Sequence, residues 1–238
     1  MLKISAIFAL FWFLSNYFYN YGLAYASVTS SVVLSNTSPT WVYLISISCL
    51  LPAQNRHAFS WIKGLLVMVS LAGFIIIAWQ DKSTSKNNMI GDLLTILSAV
   101  FYSLYATFLK LKVPPEDEEK FKFSWFLGFV GLINDVVILP FFFLFNYLGL
   151  ETWEWPNHQT LVLLTVNAVF GTVISDYCWA KSVVLLGPLV TVLGITLTFP
   201  ISLAVDVSRN HESFTWQYYV GSFMIFLAFG GIVGLDWK

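Results

Sequence analysis

The chain has 238 residues, of which 58% are hydrophobic and only 11% charged, with a mean hydropathy of +0.74 and a net charge of −1. A soluble domain carries about 25% charged residues, and one core of this size cannot hide so much apolar surface, so a soluble globular fold is excluded. The near-zero charge leaves no basic footprint for nucleic acid. The expectation is an all-α integral membrane protein.

A spanning helix needs about 20 mostly apolar residues. Eight segments qualify: 4–24, 28–51, 61–78, 90–111, 123–148, 160–181, 183–207 and 216–235. The first is too long and too aromatic for a signal peptide, and no clean cleavage site follows it. The connections at Tyr25–Ser27 and at Ser182 read as tight hairpin turns. Threading the spans puts nine Lys and Arg residues on one side and three on the other. The positive-inside rule then assigns the first side, with both termini, to the cytoplasm. Lys181 is expected to snorkel to the interface. Glu116-Asp117-Glu118-Glu119 reads as a solvated turn, with a sorting or partner signal as the other reading.

The chain repeats itself. Ser15-Asn16-Tyr17 recurs as Ser175-Asp176-Tyr177, and the polar run closed by Pro39 recurs as the run closed by Pro200. Phe59-Ser60-Trp61 recurs as Phe214-Thr215-Trp216, and Gly64 and Gly73 recur as Gly221 and Gly230. The offsets lie between 155 and 161 residues. That is too long for a solenoid and suits a duplicated half-domain with a site between the repeats.

An ionised Asp at the bilayer centre costs about 2.5–3.5 kcal/mol on insertion scales, so such residues face a cavity or a partner. Asp135, beside Asn134 near the middle of its span, is the most expensive residue in the chain. It reads either as a substrate, proton or gating residue or as a hydrogen-bond partner for a neighbouring helix. Asp176 is read one turn from the end of its helix, stacked with Thr172 and Thr165, and its repeat counterpart is the neutral Asn16. Trp12, Asn16 and Asn20 share one face of the first span. Tyr17, Tyr21 and Tyr25 share an adjacent one, either as an interfacial belt or as a stacking surface for a flat or cationic ligand.

The second span is polar on two sides, with Ser27, Ser31, Ser35 and Ser38 on one and Thr29, Asn36 and Thr40 on the other. In the seventh, Thr191, Thr198, Ser202 and Asp206 form a stripe beside Gly194. Each helix either lines a wet cavity or packs through small and hydroxyl residues. Pro39 and Pro200 sit within these two spans, where each removes a backbone hydrogen bond; such breaks are tolerated where a cavity or a neighbour satisfies the freed carbonyl. Gly230-x-x-x-Gly234 fits helix packing or a homodimer. Cys49 and Cys178 lie in apolar runs and read as small buried side chains rather than a disulfide framework or zinc site. No P-loop, HExxH, GxSxG or CxxC motif is present, and His57, His158 and His211 fall in loops on different elements. Neither a catalytic constellation, a metal site nor a cofactor is expected.

These residues resemble the drug/metabolite transporter superfamily, the EamA-type ten-helix carriers. Gly22-Leu23-Ala24-Tyr25-Ala26-Ser27, followed by Ser35-Asn36-Thr37-Ser38-Pro39, is similar to that family's third-to-fourth helix signature, and Trp61-x-x-Gly64 with Gly73 to its fifth helix. Phe126-Leu127-Gly128-Phe129-Val130-Gly131-Leu132-Ile133-Asn134 and Gly171-Thr172-Val173-Ile174-Ser175-Asp176 resemble stretches of solute carrier family 35, subgroup F, which includes fungal vacuolar-membrane relatives. Those relatives tend to carry glutamate where this chain has Asp176. The resemblance implies two five-helix inverted repeats. Residues 1–80 would then be three helices of an incomplete first unit, and residues 90–238 a complete second unit. On this reading the chain opens at the family's third helix, as a shortened carrier or through a late-starting gene model, and one wall of the central cavity is open.

The expected function is a secondary carrier that moves a small polar organic solute (metabolite, vitamin or nucleotide-sugar-like) across an endomembrane, vacuolar or Golgi, by alternating access. Two bundles would rock about a cavity lined by the first, second, sixth and seventh spans. Asn16, Asn20, Asn36, Asp135, Asp176, Thr172, Thr191 and Thr198 are the candidate substrate-binding residues, with Pro39 and Pro200 as helix breaks. The expected partners are that solute and the lipid bilayer, with a homodimer as an option and no nucleic acid. The alternative is a non-transporting membrane scaffold or carrier remnant. An integral-membrane enzyme is disfavoured because no His, Asp and Glu residues gather at one membrane face.

Overall fold

The computed structural model describes residues 1–26, 28–50, 60–80, 89–117, 119–149, 155–202, 205 and 215–236, and every regular element among them is helical. Ser27, Asp206, His57 and His211, and the side chains of Thr29 and Cys49, for which the sequence raises expectations, lie outside the described residues. α1 spans Leu2–Tyr25, α2 Val28–Ser35, α3 Ser38–Leu50, α4 Trp61–Gln80 and α5 Met89–Lys112. After a 3-10 turn at Pro115–Asp117 comes α6, Phe123–Tyr147. α7 (His158–Val166), a π-helical stretch (Asn167–Ile174) and α8 (Ser175–Leu186) form one continuous rod. α9 covers Pro188–Thr196, α10 residues 198–202 and α11 Trp216–Asp236. Five of these units are long and apolar enough to cross a membrane: α1, α5, α6, the α7–α8 rod and α11. α4 and the broken pairs α2–α3 and α9–α10 occupy the other three places in the eight-segment pattern. The chain is an all-α integral membrane protein.

One turn lies elsewhere than hydropathy suggests. The chain reverses at Gly187, not at Ser182. Gly187 has φ +93°, a conformation that favours glycine, and Pro188 opens the next helix, where its missing N–H has no partner to lose. Asp176 therefore lies ten residues before the end of α8 rather than one turn from it. Lys181 stands over the Tyr177 ring at 5.8 Å.

The second span is two helices. Pro39 has no N–H to offer the Ser35 carbonyl, and the Ser38 hydroxyl donates to that carbonyl instead. Thr37 Oγ1 donates to Leu34 O at 2.6 Å and Ser35 Oγ to Val32 O at 2.9 Å. The later break repeats two of these three bonds 161 residues on, with Phe199 in the place of Ser38. There Thr198 Oγ1 donates to Ile195 O and Thr196 Oγ1 to Leu193 O, both at 2.7 Å, and α9 parts from α10 at Leu197, ahead of Pro200.

Among the described residues three packing centres hold the bundle, the smallest around Phe74, Ile77 and Ile225. In the first, Phe8 of α1 meets Tyr105 of α5 at 5.1 Å and Phe126 of α6 at 5.0 Å between ring centroids, with Trp179 of α8 at 6.1 Å. In the second, α4 and α11 run antiparallel, with Val67, Leu193 and Ile232 buried between them and α9. Their backbones come closest at Gly73 and Gly221, where a Cβ on Gly221 would stand 2.6 Å from Gly73 O. Lys63 pairs with Asp236 at one end of this crossing. Gly230 and Gly234 face open space. Cys178 is exposed, not buried, because α8 presents it away from the packed face that carries Ala180, Val183 and Val184.

Interhelical hydroxyl bonds supplement the packing. Ser15 Oγ donates to Ser98 O at 3.1 Å, and Ser103 Oγ bonds both Ala99 O at 2.7 Å and Ser38 O at 3.1 Å. Such bonds contribute on average about 0.6 kcal/mol in membranes. Ser103→Ala is expected to lower stability by roughly that amount, a small shift in the melting curve of the detergent-purified protein.

Candidate functional site

A cavity of about 460 Å³ opens where the two broken spans face α1, α5 and α8. α1 contributes Trp12, Ser15, Asn16 and Tyr19, and the break between α2 and α3 contributes Ser35, Asn36, Ser38 and Pro39. α5 adds Ser98, Ala99, Tyr102 and Tyr105. From the other half come Gly171 and Thr172 of the π-helical stretch, Asp176 of α8, and Val192, Ile195 and Thr196 of α9. Both broken helices reach the site because a break exposes backbone and hydroxyl groups that lipid would not tolerate and a wet cavity does.

The repeat-related pair Asn16 and Asp176 both line this cavity, as do Asn36, Thr172 and Pro39. Asn20, Asp135, Thr191, Thr198 and Pro200 do not. Asn20 is exposed on α1 and donates to Asn16 O at 2.8 Å. Thr191 is buried with its hydroxyl on Gly187 O at 2.9 Å, and Thr198 is exposed on α10. Asp135 is exposed on α6, as is every residue from it to Tyr147. Tyr17, Tyr21 and Tyr25 form a ladder along α1, with Tyr17 and Tyr21 stacked at 5.8 Å and the Tyr21 and Tyr25 hydroxyls 3.2 Å apart. Tyr17 and Tyr21 are about half exposed and stand outside the cavity.

Sequence reasoning passed over α5. Its cavity face, Ser98, Tyr102 and Tyr105, has helical spacing, and that periodicity was the available signal. Tyr102 is held from two sides: its hydroxyl accepts from Trp179 Nε1 at 3.0 Å, and its ring lies 5.0 Å from Tyr105.

The charge of the lining is one-sided. Asn16 Nδ2 donates to Trp12 O at 2.8 Å and Asn36 Nδ2 to Val32 O at 2.7 Å, which leaves each amide its oxygen and a second N–H. The hydroxyls of Ser15, Ser35, Ser38 and Thr196 likewise donate to backbone carbonyls. Asp176 adds a carboxyl group, and none of the lining residues is Lys, Arg or His. Lys110, the nearby cation of α5, donates to Val184 O instead. Among the described residues no three His, Cys, Asp or Glu side chains come together in the manner of a metal site.

Residues 89–234 match the EamA-like transporter family. The chain is 32% identical over 229 residues to solute carrier family 35 member F5 of Bos taurus, covering 95% of this chain and 43% of that protein. It is 31% identical to an uncharacterized vacuolar membrane protein of Saccharomyces cerevisiae, over 96% of this chain and 60% of that one. A thiamine-repressible mitochondrial transport protein of the same yeast is 30% identical, over 96% and 61%. The chain thus spans about half the length of the curated relatives it matches. A solved crystal structure shares the fold with a TM-score of 0.70 at 17% identity, covering 97% of this chain and 76% of the other. The family match covers more than half of the chain and the relatives agree with it: the protein belongs to the EamA-like transporter family, with its likeness to solute carrier family 35, subgroup F.

Proposed function

We propose that the chain acts as a secondary carrier for a small polar organic solute, working by alternating access, and not as an enzyme. The observation that carries this reading is the cavity at the meeting of two broken, repeat-related spans, with Asn16 on one side and Asp176 on the other. A site placed between repeats lets rocking of one bundle against the other expose it first to one compartment and then to the opposite one. Residues 1–80 and 90–238 would be the two bundles. The vacuolar name of one yeast relative favours an endomembrane, and the Lys and Arg distribution favours cytoplasmic termini.

The test is uptake into proteoliposomes holding the purified 238-residue chain, with radiolabelled organic cations, neutral solutes and nucleotide sugars offered in parallel. Saturable uptake of at least one solute is expected. Asp176→Asn should lower it about tenfold, corresponding to roughly 1.4 kcal/mol, with the amount of reconstituted protein unchanged. No saturable uptake of any solute would overturn the carrier reading in favour of a non-transporting scaffold.

A further inference from the structure

We infer that the cavity selects a ring-bearing organic cation, and this assignment rests on the carrier reading above only for its transport step. Three observations converge. First, the hydroxyl protons of Ser35, Ser38 and Thr196 and one N–H each of Asn16 and Asn36 are taken up by backbone carbonyls, so the hydroxyl and amide oxygens stay open as acceptors and every donor beside them is neutral. Second, Asp176 supplies the one acidic group among the lining residues, and no lining residue is Lys, Arg or His. Third, Trp12, Tyr19, Tyr102 and Tyr105 supply aromatic surface, and ring faces attract cations that are out of bulk water.

A diphosphate-bearing solute fits this lining badly. Its oxygens need Arg, Lys or ordered N–H donors, and here one N–H of each Asn amide is already engaged and the donors left, the second amide N–H groups and the Tyr102 hydroxyl among them, are neutral. A cation with N–H or C–H donors on a flat ring meets complementary groups on every side: carboxyl, amide oxygen and ring face. The cavity of about 460 Å³ has room for one or two rings with short substituents. Burying such a cation without a paired charge would be costly, so the single carboxyl makes the site selective for one positive charge.

The experiment compares three probes on the detergent-purified chain by equilibrium binding. They are 1-methyl-4-phenylpyridinium, a permanent cation; 4-phenylpyridine, its neutral analogue; and UDP-glucose, an anion. The cation is expected to bind about tenfold more tightly than the neutral analogue, and UDP-glucose more weakly than either. Asp176→Asn should remove the preference for the cation while leaving the affinity for 4-phenylpyridine within twofold, a split that a merely structural role would not produce. Asn16→Asp, which adds a second carboxyl at the repeat-related position, should tighten the cation severalfold and weaken UDP-glucose. Equal binding of cation and neutral analogue, tighter binding of UDP-glucose, or no binding of any probe would overturn the inference. Proteoliposome flux separates the two readings. Cation binding without flux of any solute keeps the ligand class and overturns the carrier; saturable UDP-glucose flux without cation binding does the reverse.

Discussion

Gly221→Leu is expected to separate α4 from α11 and to destabilise the protein by roughly 3 kcal/mol, the upper end for overpacking a tight site. A Cβ alone at this position would stand 2.5 Å from Ile77 Cγ1 and 2.6 Å from Gly73 O. The second contact is backbone and cannot rotate away. Close approach through glycine is how helices gain dispersion energy in lipid, where no hydrophobic drive favours their association. Gly230→Leu is the control: nothing lies within 4 Å of its Cβ position, and its melting curve should match that of the parent. A Gly221→Leu protein that melts with the parent would mean that α4 and α11 do not cross at these glycines.

Phe8→Ala carries the second large effect, about 3–5 kcal/mol for truncating a buried Phe. Phe8 is 2% exposed and its ring touches aromatic rings from α5, α6 and α8. Its loss leaves a void at the point where those helices converge. The effect should reach the cavity, because Trp179, one of those neighbours, holds the Tyr102 hydroxyl. We therefore expect weaker cation binding together with the lower melting temperature, and Phe8→Leu to restore most of both. Full stability in Phe8→Ala, read by thermal melting in detergent, would contradict the packing described for α1.

Much of the fold was legible in the sequence because a bilayer imposes a length and a polarity on every span. The eight segments follow from that alone. The turn at Gly187 was not legible from hydropathy, because Leu185-Leu186-Gly187-Pro188-Leu189 stays apolar through the reversal. Only the glycine and the proline mark it. In the cavity, Asn16 and Asp176 were found through the repeat, and Asn36 through the polarity of its helix. Thr198 follows from reading the seventh span as one continuous helix; the break at Leu197 ends that register, and Thr196 lines the cavity, while Thr191, ahead of the break, is buried with its hydroxyl on Gly187 O. Asp135 drew attention by its cost in hydrocarbon, a criterion that says a charge needs company without saying where that company lies. The aromatic face of α5 was passed over because tyrosine and serine in an apolar run look like ordinary packing.

The hydroxyl bonds at the two helix breaks bear on how the chain enters the membrane. A carbonyl released into hydrocarbon costs several kcal/mol, so a proline-broken span would ordinarily have to wait for neighbours to shelter it. Here Val32, Leu34, Ser35, Leu193 and Ile195 each accept a hydroxyl from within one turn of their own chain. Shelter is local and travels with the segment. At the first break the carbonyl that Pro39 frees is covered in this way, so that span is expected to settle in lipid before the rest of its bundle has been synthesised; at the second, Phe199 stands where Ser38 stands and has no hydroxyl to offer Thr196 O, so that span depends on its neighbours and the cavity.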